Sequence, residues 1–294
     1  MASPRTRCRS IHARFGSSRV RGKGVWEGEG HGTVPMTGKD LLVATSTRAR
    51  RPPRSWPELI LLTVAGKTIV MALQLDSEEP EGGPWRARPL TVVVEAMLRH
   101  GGGRAAGRQR QGVVLAVDGR SSGGKTTLAA RLQDAIAGSA VLHTDDIAWW
   151  HSRFGWADLL IDGILVPFHR GELVSFRPPG WARHGRQGSI QVPAMCPVLI
   201  IEGVGAGRSE VSHLIDALVW VQADQQEAER RSLARVGQPD GARTVGDYRE
   251  WMAEEDPFLT GQRPWERADL LVAGTPQIPF DRAFELVVAP PLTR

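Results

Sequence analysis

The stretch Val113-Val-Leu-Ala-Val-Asp-Gly-Arg-Ser-Ser-Gly-Gly-Lys-Thr-Thr127 decides the fold. Its first five residues are a continuous apolar run, as in a strand buried on both faces. From Gly119 the chain fits G-x-x-x-x-G-K-[ST], ending on Lys125 and Thr126. The segment Thr126–Ala137 carries Leu128, Leu132 and Ile136 at helical spacing and stops at Gly138. A strand before the pattern and a helix after it is the context in which this loop holds a polyphosphate. The glycines let the backbone approach the anion, and successive amides point inward, aided by the positive end of the helix. The candidate nucleotide-binding residues are therefore Gly119, Ser121, Ser122, Gly123, Gly124, Lys125, Thr126 and Thr127. Lys125 is placed to reach the β- and γ-phosphates, and the Thr126 hydroxyl to ligate Mg²⁺.

The chain contains an internal control. Ala65-Gly66-Lys67-Thr68 repeats the tail of the pattern, but Leu61 stands where the first glycine belongs. Lys125 is also the only lysine after residue 67, in a chain with 37 basic residues. A compact ammonium fits between phosphate oxygens where a guanidinium fork does not. The chain has no Asn, which removes the N-K-x-D guanine reader and disfavours a GTPase. It also lacks the L-S-G-G-Q stretch of transporter ATPases.

Outward from the loop, strands and helices alternate. Ala140–His143, Val198–Ile201, Ala217–Val221 and Ala268–Val272 read as further strands. Segments 156–169, 227–236 and 248–255 read as helices, and Glu172–Phe176 with Ser189–Val192 as a hairpin. This alternation predicts an α/β, three-layer P-loop NTPase fold with a mostly parallel five-stranded sheet. The domain is expected over residues 111–294. Residues 1–110 read as a basic, Gly/Pro/Arg-rich extension with little stable structure or an untranslated upstream start, Met71 and Met97 being alternative starts. Gly101-Gly-Gly103 onward to Arg110 reads as a flexible basic linker.

Charge follows the same division. The net charge is +5 over 294 residues. Residues 1–110 hold 19 Lys+Arg against 9 Asp+Glu, whereas 111–294 hold 18 against 23. The basic character lies in the first third, which argues against nucleic acid as partner of the main domain. Cys8 and Cys196 form no disulfide or zinc pattern, and the expected location is cytoplasmic. Residues 59–75 are the most apolar stretch, but Lys67 at the centre and Gly66 beside it disfavour a span; two short strands or a stray apolar segment fit better.

In parallel sheets, ligands bind at the carboxyl ends of the strands. Asp145 and Asp146 follow the second strand, and Glu202 ends the third. A carboxylate in the first place can take the proton of a substrate hydroxyl. One in the second can order the water shell of Mg²⁺. Either Asp145 or Asp146 could instead cap the next helix, a role favoured for Asp146.

Gly119–Thr126, His143-Thr-Asp-Asp146, Ile200-Ile-Glu-Gly203, Arg230-Arg231 with Arg235, and Ala268-Asp269 come in an order that resembles the uridine/cytidine kinase group of P-loop kinases. The resemblance spans roughly residues 112–276. It implies ATP and Mg²⁺ as cofactors, Asp145 as the base acting on the acceptor hydroxyl, and Glu202 with Thr126 at the metal. It makes Arg230 and Arg231, with Arg235, lid arginines that close over the phosphates beside Lys125, and places Ala273–Pro276 beside adenine. The chain departs from the group after the aspartates, where Ile147-Ala-Trp-Trp150 stands, and at the end of the lid motif, Arg235-Val236. The expected acceptor is a small molecule, a nucleoside first and a nucleotide or other alcohol second. Candidate acceptor residues are Phe176, Arg177, Trp181 and Arg186, in a stretch rich in aromatic and basic groups. The rival expectation is an ATP-binding regulatory module without an acceptor.

Overall fold

The computed structural model describes residues 62–64, 67–69, 72–76, 78–238 and 241–292. The expectations for residues 1–61 lie outside the described residues. By contact the chain separates into two units, and the larger includes residues 69–294. Leu62–Val64 (β1) and Lys67–Ile69 (β2) form a small two-stranded sheet. Among the described residues no helix is long and apolar enough to cross a membrane.

From there the chain runs through Arg86–Pro89 (β3), Leu90–Gly107 (α1), Val113–Gly119 (β4), Lys125–Ala135 (α2), Ala140–His143 (β5) and Thr144–Ala148 (α3). Ala157–Leu160 (α4) continues through a π-helical turn, Ile161–Leu165, into Val166–His169 (α5). Val174–Phe176 (β6) pairs antiparallel with Ile190–Val192 (β7), around Pro179–Arg183 (α6). Val198–Glu202 (β8), Ala217–Gln222 (β9), Gln225–Ala234 (α7), Val245–Gln262 (α8), Pro264–Arg267 (α9), Leu270–Ala273 (β10) and Glu285–Ala289 (β11) complete it.

The main sheet has the order β3-β11-β10-β9-β4-β8-β5. The strands from β10 to β5 are mutually parallel. Strand β11 runs antiparallel to both β10 and β3. The five expected strands are present, but the sheet has seven, which corrects the expected count. Arg86-Ala-Arg-Pro89 has no apolar run because it is an edge strand, and β11 lies beyond the last strand read from sequence.

Strand β4 shows why there are three layers. Its alternate residues point to opposite faces. Val114 and Ala116 join a core with Leu160, Ile164, Trp181, Trp220 and Trp265. Leu115 and Val117 join another with Val93, Val94, Met97, Leu128 and Leu132 from α1 and α2. Helix α1 corrects the linker reading of residues 101–110. Its buried stripe includes Val93, Met97, Gly101 and Ala105, every fourth residue. A Cβ at Gly101 would lie 2.7 Å from the Val113 side chain. That glycine serves close packing of helix on strand, whereas additions at Gly102 and Gly103 would meet open space.

A chain begun at Met97 would lose β3 and the first seven of the 18 residues of α1, including Val93 and Val94, each buried side chain contributing about 1.5–3 kcal/mol. A chain begun at Met71 retains all of them. Urea unfolding should give a clearly lower midpoint for the shorter chain; equal midpoints would contradict the placement of β3 and α1 in the core.

Candidate active site

The loop between β4 and α2 stands at the carboxyl end of the central strand. Gly124 opens α2 with φ +108°, and Ser122 sits at φ +56°, a region few non-glycine residues occupy. The buried Lys125 donates from Nζ to the Arg120 carbonyl at 2.7 Å. The next residue, Thr126, donates from Oγ1 to Glu202 Oε1 at 3.2 Å.

Glu202 ends β8, directly beside β4. The glycine after it is required: Gly203 has φ +139°, and a Cβ there would fall 1.8 Å from Thr144 Oγ1. His143, at the end of β5, places Nδ1 2.5 Å from the same Glu202 oxygen. That hydrogen bond raises the His143 pKa. Burial alone would push Glu202 up, but the His143 hydrogen bond and the Lys125 charge outweigh it and hold the carboxyl below its ordinary value. Thr126 and Glu202 are two oxygen donors side by side, a set that suits Mg²⁺, which keeps several waters. Among the described residues no group of three His, Cys, Asp or Glu residues makes a ready metal cage.

The two aspartates of α3 have different surroundings. Asp146 Oδ1 accepts from Arg186 at 2.6 Å, so it is held in an ion pair. Neither caps α3, whose N-cap His143 makes no side-chain capping bond. Asp145 opens to solvent and has no hydrogen-bond partner among the described residues. The protein packed around it pushes its carboxyl above the ordinary value, with the Lys125 charge opposing.

Of the four candidate acceptor residues, three gather against α3. The Trp181 ring lies 3.6 Å beneath the Arg186 guanidinium, and its Nε1 donates to the Asp146 carbonyl at 2.7 Å. Arg177 donates to the Arg186 carbonyl at 2.9 Å. Phe176 instead fills the space beside Gly163, where a Cβ would come within 2.6 Å of its ring. Beside this group, Trp150 is 55% exposed, has φ +51° and stacks on His184 at 4.4 Å.

Helix α7 carries Arg230 and Arg231, and Arg235 follows its last residue. Arg231 donates to the carbonyls of Ser122 at 3.4 Å and Gly274 at 3.1 Å. Ser232 donates to Ser122 Oγ at 2.8 Å, and Arg235 reaches the same oxygen at 3.5 Å. Arg230 faces outward and pairs with Glu227. The Ala273–Pro276 segment lies against the loop: a Cβ at Gly274 would fall 2.1 Å from the Gly123 carbonyl oxygen.

Several residues of this site carry no role in the sequence reading. His143 stands in a quoted motif. Asp118 and Arg120 flank the first glycine of the loop. Asp118 is wholly buried and accepts from the amides of Gly119, Gly205 and Gly207 at 2.7, 3.0 and 2.8 Å. Glu255, on α8, accepts from Ser121 N at 2.8 Å and Ser121 Oγ at 2.5 Å. A charged residue closing an apolar strand was the available signal for Asp118; nothing local marks Glu255.

Neither a family model nor any curated protein matches the chain. Among solved structures it is similar to a candidate uridine kinase from Bacillus stearothermophilus, at 16% identity and TM-score 0.39, covering 60% of this chain and 98% of that one. It is also similar to a candidate fructose transport system kinase from Silicibacter sp. TM1040, at 18% identity and TM-score 0.44, covering 62% and 95%. A third is a polyphosphate kinase 2 from Arthrobacter aurescens TC1, at 12% identity and TM-score 0.30, covering 61% and 66%. These structural neighbours are kinases.

Burial pushes the Asp118 carboxyl up to about 6, against the three backbone bonds and the Lys125 charge that limit the rise. A carboxyl raised in the folded state binds more protons there than in the unfolded chain, so its contribution is complete below the unfolded value and is lost as pH rises through the folded one. Stability should therefore fall by about 3 kcal/mol at most between pH 4 and 7 from this group. Asp118→Asn should remove that slope, and denaturant unfolding across this range reads it; an unchanged slope would contradict the assignment.

Proposed function

We propose that this protein transfers the γ-phosphoryl group of ATP to a hydroxyl of a small molecule. One observation carries the reading: the glycine loop, Glu202 and Asp145 stand at the carboxyl ends of three adjacent parallel strands, β4, β8 and β5. In this reading Lys125 and the loop amides hold the phosphates. Thr126 and Glu202 hold Mg²⁺, which when bound neutralises phosphate charge. Asp145, accessible and without a hydrogen-bond partner among the described residues, accepts the proton of the acceptor hydroxyl. Asp146 keeps Arg186 and Trp181 in place beside it.

Arg231 and Arg235 already reach the loop through Ser122, which supports a lid role for α7. Arg230 would exchange Glu227 for phosphate as the lid closes. Closure would exclude water and so suppress hydrolysis of ATP.

A nucleoside is the proposed acceptor. The support is the exposed Trp150, stacked on His184 next to Arg186 and Trp181, since an aromatic face with basic neighbours suits a planar base. A nucleotide or another alcohol is the alternative for the same site.

The test is ADP release with a panel of nucleosides, nucleotides and sugar alcohols. Turnover should appear with at least one nucleoside, and turnover confined to the other alcohols would reject the nucleoside. Asp145→Asn should lower kcat by about 10²–10⁴-fold while ATP affinity stays near that of the unaltered protein. ATP binding with no turnover on any acceptor would instead favour a regulatory module. Full turnover by Asp145→Asn would remove it as the base.

A further inference from the structure

The acidic segment before β3 is attached to the rear of the glycine loop. Arg120, the first variable residue of that loop, is 1% exposed. Its guanidinium lies 2.8 Å from Asp256 on α8, 3.1 Å from Asp76 and 3.8 Å from Glu79. Glu79 is itself buried and accepts from Trp220 Nε1 at 2.6 Å and Gln222 Nε2 at 2.9 Å, both on β9. So two acids from a segment remote in sequence fix an arginine of the loop, and β9 fixes one of those acids.

The consequence for the site runs through the Arg120 backbone. Its carbonyl accepts the Lys125 ammonium at 2.7 Å and the Gly123 amide at 3.0 Å. The side chain held by the carboxylates and the oxygen that receives Lys125 thus belong to one residue. The same segment also holds the lid helix. Gln74 N donates to Asp224 Oδ2 at 2.8 Å, and the Gln74 carbonyl accepts from Gln225 N at 2.7 Å. The other Asp224 oxygen caps α7 through Glu227 N.

We propose that Gln74, Asp76 and Glu79 form a positioning strap for the phosphate site, with Asp76 and Glu79 holding Lys125 in place through Arg120 while Gln74 holds the start of α7. Arg120 is a positioning residue in this scheme, since its side chain is engaged by Asp76 and Asp256. The inference rests on the reading of the loop as an ATP site.

Isothermal titration of the full chain with Mg-ATP tests it, at a temperature where every variant is folded and with unfolding midpoints measured alongside. Asp76→Asn removes one charge with little change of shape, and Arg120→Ala removes the anchor. Both should weaken ATP by about tenfold. Asp76→Glu restores the charge and should recover most of the affinity. Glu78→Gln loses only the exposed pair with Arg263 and should match the unaltered protein. Affinities within twofold of the unaltered protein for both Asp76→Asn and Arg120→Ala would overturn the strap. So would a loss in Asp76→Asn that Asp76→Glu fails to recover. If the unaltered protein binds no ATP, the reading of the loop fails and the strap falls with it; if it binds and the variants bind equally, the strap alone fails.

Discussion

A loop that turns its amides inward toward an anion has few amides left with which to hold itself. That constraint organises this protein. The loop from Gly119 to Thr126 has glycine and Ser122 at positive φ, and besides the Arg120 carbonyl its fixed points come from outside the loop. Asp118 ties its first glycine to the turn after β8, and Glu255 takes the Ser121 amide and hydroxyl. Arg120 hydrogen-bonds Asp76 and Asp256, with Glu79 3.8 Å from its Nε. Buried charges of this kind contribute little net stability unless well paired, but removing one partner is costly. Their value here is in fixing geometry.

The same economy marks the neighbouring strand ends. Glu202 receives both Thr126 and His143 on one oxygen, so the loop, β8 and β5 meet at a single carboxylate. Asp145 and Asp146, adjacent in sequence, are separated in chemistry: one is committed to Arg186 and the other is uncommitted. A pair of like residues with unlike surroundings is a common way to assign different roles within one site.

The parallel centre of the sheet was legible because buried strands need continuous apolar runs, as in Val113–Val117 and Val198–Ile201. The glycine loop between β4 and α2 was legible because its spacing is imposed by backbone geometry. The edges were not. Arg86-Ala-Arg-Pro89 pairs on one side only and needs no apolar pattern. Helix α1 was hidden by Gly101-Gly-Gly103, since glycine signals flexibility in sequence and close packing in this fold. Partners such as Glu255 and Ser121 are 134 residues apart, and nothing local in either stretch announces the other.

The first strand of the main sheet pairs with the last: Arg86 lies opposite Val288 and Pro89 opposite Glu285. During synthesis the ribosome delivers β3 and α1 long before β11 exists. The parallel core can assemble around β4 in the meantime, but this edge must wait for nearly the entire polypeptide to emerge. Contacts of such long sequence separation form slowly. Until then, the edge of β3 is available for wrong partners, which makes this first strand of the main sheet the segment most in need of protection while the chain is being made.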